Sequence, residues 1–193
     1  LELDPAQEEA LLRLGIAYAR SGESEEAVAV LQKLLQREPD SLTAGLTLAR
    51  VYREIGLSSR AVEVYRDLIQ KHAGVDTPYL ELSGIYQNQG KLSEAVEVLR
   101  LALKERPANS PIRLRVVRLL VAERKYAESL TELQVVLRQH PEGAEGFRLR
   151  GLILMEQGRW KEAAESLSRA LGLDPQSQRT RFYLGTVYEQ QKQ

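Results

Sequence analysis

The sequence predicts an all-α protein assembled from one repeated pair of helices, and three observations carry the prediction. Prolines recur in a single phase, small and aromatic residues recur in columns between them, and glycines recur where a helix must stop. Pro39, Pro107, Pro141 and Pro175 are separated by multiples of 34 residues, Pro5 shares their phase, and Ala73 fills the one slot without proline. A fixed period of this length marks stacked supersecondary units. Placing the proline at position 32 starts the repeats at Glu8, Leu42, Asp76, Ser110, Ala144 and Gln178, with no insertion or deletion. The expected organisation is a single array: the end of a preceding repeat over 1–7, repeats over 8–41, 42–75, 76–109, 110–143 and 144–177, and the first helix of a sixth over 178–193. On that expectation Leu1–Pro5 is the tail of an earlier repeat and the chain a segment of a longer protein.

The first helix of each repeat is marked by positions 4, 7, 8 and 11, the i, i+3, i+4, i+7 signature of one buried helical face. Position 7 holds Leu14, Leu48, Leu82, Val116, Arg150 and Leu184. Position 8 holds Gly15, Ala49, Ser83, Val117, Gly151 and Gly185, and position 11 holds Tyr18, Tyr52, Tyr86, Leu120, Leu154 and Tyr188. The second helix is marked by position 20 (Ala27, Ala61, Ala95, Ser129, Ala163), position 24 (Leu31, Tyr65, Leu99, Leu133, Leu167) and position 27. Small residues at 8 and 20 let the two helices approach closely where they cross.

Between the helices, position 15 is Gly22, Gly56, Gly90 and Gly158, suited to the left-handed conformation that ends a helix; Arg124 breaks the column. Ser110-Pro111 and Thr77-Pro78 are expected to supply an N-cap followed by proline at the first helical position. The closing proline cannot continue a helix. Helices are therefore predicted over 7–20, 24–37, 41–54, 58–71, 77–88, 92–105, 110–122, 126–139, 143–156, 160–173 and 177–190. The fourth repeat, with Val117, Ser129 and Arg124 in three marker columns, is expected to cross its helices more widely or to be compensated by its neighbours.

A small residue at 8, tyrosine at 11, alanine at 20 and proline at 32 on this period resemble the tetratricopeptide repeat across essentially the whole chain. The family's tryptophan at position 4 is replaced by Leu11, Gly45, Tyr79, Arg113 and Phe147. The resemblance implies a right-handed superhelical solenoid, about eleven helices long here, whose first helices line a concave groove that binds extended or helical peptides. A bacterial source is expected from the general character of the sequence. Position 6 reads Arg13, Thr47, Glu81, Arg115 and Leu149, so the asparagine column of the sub-class that clamps chaperone C-termini is missing.

Composition excludes several classes of chemistry. The chain has no cysteine, which removes disulfides, thiolate catalysis and cysteine-ligated zinc. Net charge is zero, with Lys+Arg 27 against Asp+Glu 27, so no nucleic acid is expected as partner. Apolar runs are too short for membrane insertion. His72 and His140 both fall at position 31 and have no catalytic or ligand companion at useful spacing. No glycine-rich phosphate loop and no metal-ligand spacing are present. No enzyme activity, cofactor or metal is expected, and no feature assigns a compartment.

What remains is the off-core face of the first helices, positions 2, 5, 6, 9, 12 and 13. Position 5 is Leu12, Leu46, Leu80 and Leu114 in successive repeats and then Arg148. Beside this apolar ladder lie Arg50 and Arg118 at position 9, Arg53 and Gln87 at position 12, and Asn88 at position 13. Such a face suits a partner protein or peptide, with leucines taking apolar side chains and arginines taking carboxylates. The alternative for the leucines is packing between neighbouring first helices, and for the arginines solvation or pairing within the chain. The expected function is a non-catalytic scaffold or adaptor. The alternatives are the recruiting segment of a larger enzyme or polysaccharide-export machine, and an RNA-binding helical repeat. Self-association through the exposed end of the array is a further expectation.

Overall fold

The computed structural model describes residues 5–192; Leu1–Asp4, the expected tail of an earlier repeat, lie outside them, as does Gln193. Among the described residues the chain forms eleven α-helices and no strand. They are α1 (Pro5–Ser21), α2 (Ser24–Leu35), α3 (Leu42–Glu54), α4 (Ser58–Lys71), α5 (Asp76–Asn88), α6 (Leu92–Glu105), α7 (Ser110–Ala122), α8 (Tyr126–Gln139), α9 (Ala144–Glu156), α10 (Trp160–Leu173) and α11 (Gln178–Gln191). Each predicted helix limit lies within two residues of the observed one.

Two compact units divide the chain at Gly90. In the first, α1 pairs with α2 and α3 with α4, while α2 packs on α3, α4 on α5, and α1 touches α3. In the second, α7 pairs with α8 and α9 with α10, α6 packs on α7, α8 on α9 and α10 on α11, and α9 touches α11. Within the units α3, α7 and α9 are thus each flanked by their own second helix and by the one before it.

That arrangement widens the buried arc beyond the face the sequence marks. The marker columns behave as expected on the second helices: Ala27, Ala61, Ala95, Ser129 and Ala163 are all buried, as are Leu31, Tyr65, Leu99, Leu133 and Leu167. On the first helices from α3 onward, however, positions 3 and 10 are also buried, including Ala44 and Val51, Ile112 and Leu119, and Ile153. Position 6, assigned to the open face, is buried at Thr47 and Leu149. A lone amphipathic stripe covers about 100° of a helix. Two flanking helices demand more. Leu14 and Arg150, both in the position-7 column, are conversely exposed.

The helix ends depart from expectation at one detail. Asn109, not Ser110, caps α7, its side chain accepting a hydrogen bond from the Ile112 amide at 3.2 Å, and Ser110 and Pro111 lie inside the helix. Likewise α5 begins at Asp76, before Thr77, with Val75 at its N-cap.

Position-specific polar bonds tie one repeat to the next. Gln32 donates to the Tyr52 hydroxyl and Arg66 to the Tyr86 hydroxyl, each at 2.8 Å and across the same number of residues. The tyrosine column therefore has a reason: a buried phenol needs a polar partner, and the preceding second helix supplies one. Residues in the missing tryptophan slot do a second job. Tyr79 donates to the Ala73 carbonyl at 3.1 Å, Arg113 to that of Pro107 at 2.8 Å, and Arg181 to that of Pro175. The two histidines act in the same way, His72 meeting the Asp40 carbonyl and His140 the Ser110 hydroxyl, both at 2.9 Å.

The turn between paired helices is the sharpest local constraint. Gly22, Gly56, Gly90 and Gly158 have φ of 84°, 80°, 74° and 70°, and Arg124 adopts φ of 59° in the same place. The amide of the following residue donates to the carbonyl five residues back, as in Lys125 to Leu120 at 2.8 Å and Arg159 to Leu154 at 2.9 Å. This is a Schellman stop. The fourth repeat keeps it without glycine, and it buries Val117, Ser129 and Leu133 completely. The left-handed region costs a side-chain-bearing residue ~1 kcal/mol. Arg124→Gly is therefore expected to raise the urea midpoint, adding ~0.5–1 kcal/mol after the entropy of a freer unfolded chain is counted. Gly56→Ala is expected to lower it by a similar amount.

A candidate peptide-binding face on the first helices

In the first unit, α1 and α3 lie side by side, and a hollow of about 250 Å³ opens between them. Its apolar lining is Ile16 and Ala19 from α1 and Val51 from α3. Thr43 and Thr47 complete the α3 side, the Thr47 hydroxyl being turned back onto the Thr43 carbonyl at 2.8 Å. Arg20, Arg50 and Glu54 add charge of both signs. Of the predicted site residues the hollow gathers only Arg50. Thr43 and Thr47, at positions 2 and 6, fall on the predicted off-core face without having been named as contacts, and Val51, at position 10, was not predicted. The signal for Val51 was the apolar residue at position 10 of successive first helices.

The arginines divide into two kinds. Arg53 reaches from α3 to Glu81 on α5 at 2.5 Å. In the second unit Arg118 on α7 pairs with Glu145 on α9, and Arg148 stands 3.8 Å from the same carboxylate. Arg53–Glu81 and Arg118–Glu145 link successive first helices, Arg148–Glu145 lies within α9, and at such exposure each contributes ~1 kcal/mol or less. Arg50 differs. Its Nε donates to the Leu46 carbonyl of its own helix at 3.3 Å, and it meets no carboxylate among the described residues.

The leucine ladder is only half available. Leu12, Leu46, Leu80 and Leu114 are all half-buried. Leu114 packs against the cluster of Val117, Leu133, Val136, Leu149 and Ile153. Packing between neighbouring helices accounts for much of that surface. Gln87 and Asn88 are exposed at the end of α5.

Beneath the Arg53–Glu81 pair lies Tyr65, where other repeats carry leucine at position 24. The residue is fully buried and its hydroxyl has no hydrogen-bond partner among the described residues. Burial first, and then the charge of Glu81, pushes its pKa up to about 12, with Arg53 and Arg50 opposing. Among the described residues no cluster of three His, Asp or Glu side chains could hold a metal, and no helix is long and apolar enough to cross a membrane.

Tyr65→Phe is expected to leave stability unchanged or raise it by up to ~1 kcal/mol, because it deletes an unpaired buried hydroxyl. It also has a pH signature. The folded pKa lies above the unfolded value of 10.0. The native protein is therefore fully stable with respect to this group below pH ~10 and loses ~2–3 kcal/mol as pH rises towards ~12. Denaturation across that window should show the loss in the parent protein and its reduction in the variant.

Comparison with known proteins agrees with this architecture. Sequence profiles described as tetratricopeptide repeat match residues 9–41 and 43–74, 77–109, and 115–178 together with 151–193. A search of curated protein sequences finds no match. Among solved structures, the chain is similar to a tetratricopeptide repeat protein from Parabacteroides merdae, with TM-score 0.75 and 14% identity over 96% of this chain and 73% of that one. It is also similar to MamA, with TM-score 0.70 and 16% identity over 87% and 92% of the two chains. YrrB, a TPR protein with an unusual peptide-binding site, superposes with TM-score 0.67 and 18% identity over 89% of each chain. At these identities the likeness is one of fold. The chain belongs to the tetratricopeptide-repeat family, by its profile matches along nearly its whole length and by the helix pairs that those matches encode.

Proposed function

We propose that this chain is a non-catalytic scaffold whose first-helix face binds a polypeptide, with the hollow between α1 and α3 as its principal contact in the first unit. The observation that carries the proposal is Arg50. It borders an apolar hollow large enough for one or two side chains, and it has no carboxylate of its own. Arg53, Arg118 and Arg148 are already engaged with Glu81 and Glu145. A partner residue bearing a carboxylate would complete Arg50 while its apolar neighbour covered Ile16 and Val51. Forked guanidinium–carboxylate contact is among the stronger polar interactions available to such a surface. YrrB, with its peptide-binding site on the same fold, supports a scaffold role.

The test uses a partner polypeptide recovered by pull-down and titrated by fluorescence anisotropy. Arg50→Glu and Ile16→Asp are each expected to weaken binding at least ~10-fold, or ~1.4 kcal/mol, with helicity and melting unchanged. Arg118→Glu should weaken it less, since that side chain is paired within the chain. Full binding by Arg50→Glu would overturn the proposal.

A second reading, self-association, is favoured by α11, where Phe182 is 71% exposed and Tyr188 48% exposed. Sedimentation at rising concentration should show assembly that Phe182→Asp abolishes. A monomer at every concentration would remove this second reading.

A further inference from the structure

The second unit carries a different hollow, away from the first-helix face. It measures about 260 Å³ and opens between α8 and α9, with Arg159 at the start of α10 completing its lining. The floor is aliphatic: Leu133 and Leu154 are fully buried, and Leu130 and Leu137 half-buried. The polar lining is Gln134, Arg150 and Arg159, with no carboxylate among them.

Two departures from the repeat create it. At position 7 the other repeats carry Leu14, Leu48, Leu82, Val116 and Leu184, where this one carries Arg150. At position 11 Leu154 stands in place of tyrosine. In the first unit the tyrosine hydroxyl accepts from the preceding second helix, Gln32 to Tyr52 and Arg66 to Tyr86. Gln134 occupies the donor position that corresponds to Gln32 and Arg66, but faces a leucine. Neither Gln134 nor Arg150 has a hydrogen bond or ion pair among the described residues, although the charge of Arg150 reaches the Glu162 carboxylate that Arg159 holds. Arg159 is held by Glu162 at 2.6 and 2.7 Å and by Gln157 at 3.2 Å, so it is oriented but internally neutralised.

We propose that this hollow is a second peptide site, specific for a segment in which an aliphatic side chain is followed directly by a carboxylate. The volume takes one leucine-sized group against Leu130, Leu133, Leu137 and Leu154. The adjoining carboxylate meets the unpaired guanidinium of Arg150 and the amide of Gln134. Charge complementarity selects the occupant: the lining presents two guanidiniums and an amide, and the nearby carboxylate of Glu162 is taken up by Arg159, so one cation is left over at Arg150. Beside an apolar wall that keeps water from one side, a guanidinium–carboxylate contact is favoured over contact with the neutral amide, which leaves the charge without a partner.

The probe is a fluorescein-labelled Gly-Ser-Leu-Asp-Ser-Gly peptide, titrated by anisotropy against the whole chain. Two controls replace its Leu by Ala and its Asp by Asn. The expected result is binding to the Leu-Asp peptide at least tenfold tighter than to either control. Arg150→Leu restores the column residue, so it should melt at the same or a higher temperature and still lose the tenfold preference. Arg150→Gln should keep the fold and lose only the preference for Asp over Asn. The titrations are repeated in an Arg50→Glu background, which removes the guanidinium from the hollow between α1 and α3, so that the tenfold preference remaining there belongs to the site at Arg150. Equal binding of the three peptides, no binding of the Leu-Asp peptide, or an unaltered preference in Arg150→Leu would overturn the proposal.

Discussion

Close approach of two helices within each pair is the constraint from which the rest of the structure follows. At Gly151 the backbone of α9 lies so near α10 that a Cβ would stand 2.6 Å from Leu167 Cγ, and Gly15 meets Leu31 at 2.7 Å in the same way. Alanine or serine on the second helix completes the contact, fully buried at Ala27, Ala61, Ser129 and Ala163. Such a crossing holds only if the chain reverses in a few residues. The left-handed stop at position 15 provides that reversal, even where Arg124 has to adopt it. Packing density in the interior then leaves little tolerance at these columns.

A helix pair alone cannot bury both faces of its first helix, so each pair depends on the second helix before it. The polar ties between repeats serve this dependence more by placing elements than by adding stability. Gln32 to Tyr52 and Arg66 to Tyr86 satisfy phenols at the edge of the core. Tyr79, Arg113 and Arg181 fasten the connecting loop through its carbonyl oxygens. Each bond contributes ~1 kcal/mol net. Lost together, they would leave the loops without a fixed seat.

Against this regular frame the departures carry the functional interest. Where the tyrosine, tryptophan or leucine of the repeat is replaced, the chain either substitutes an internal partner or leaves a donor open. Arg113 took the first course, pairing with Glu132 as well as the Pro107 carbonyl. Arg150 and Gln134 took the second. Exposed ion pairs such as Arg53–Glu81 withdraw an arginine from recognition while adding little to stability. A paired arginine and an unpaired one therefore have different uses, although the sequence writes them alike.

The repeat period, the helix limits, the small and aromatic marker columns and the family were all legible in the sequence, because they are local or arise from one spacing applied throughout. Tyr52 and Leu31 were assigned to the core by helical periodicity alone, and both are buried. Burial of Val51 and Leu119 left only the trace of an apolar column at position 10, and that of Ile112 none, since it depends on a second flanking helix that a single-face period does not encode. Pairing was not legible either. Whether Arg53 or Arg50 meets a carboxylate depends on Glu81, a residue of the next repeat whose reach only the packed chain defines. The two hollows belong to the same category: each is space left between side chains from different helices, and volume of that kind exists only after those helices have docked.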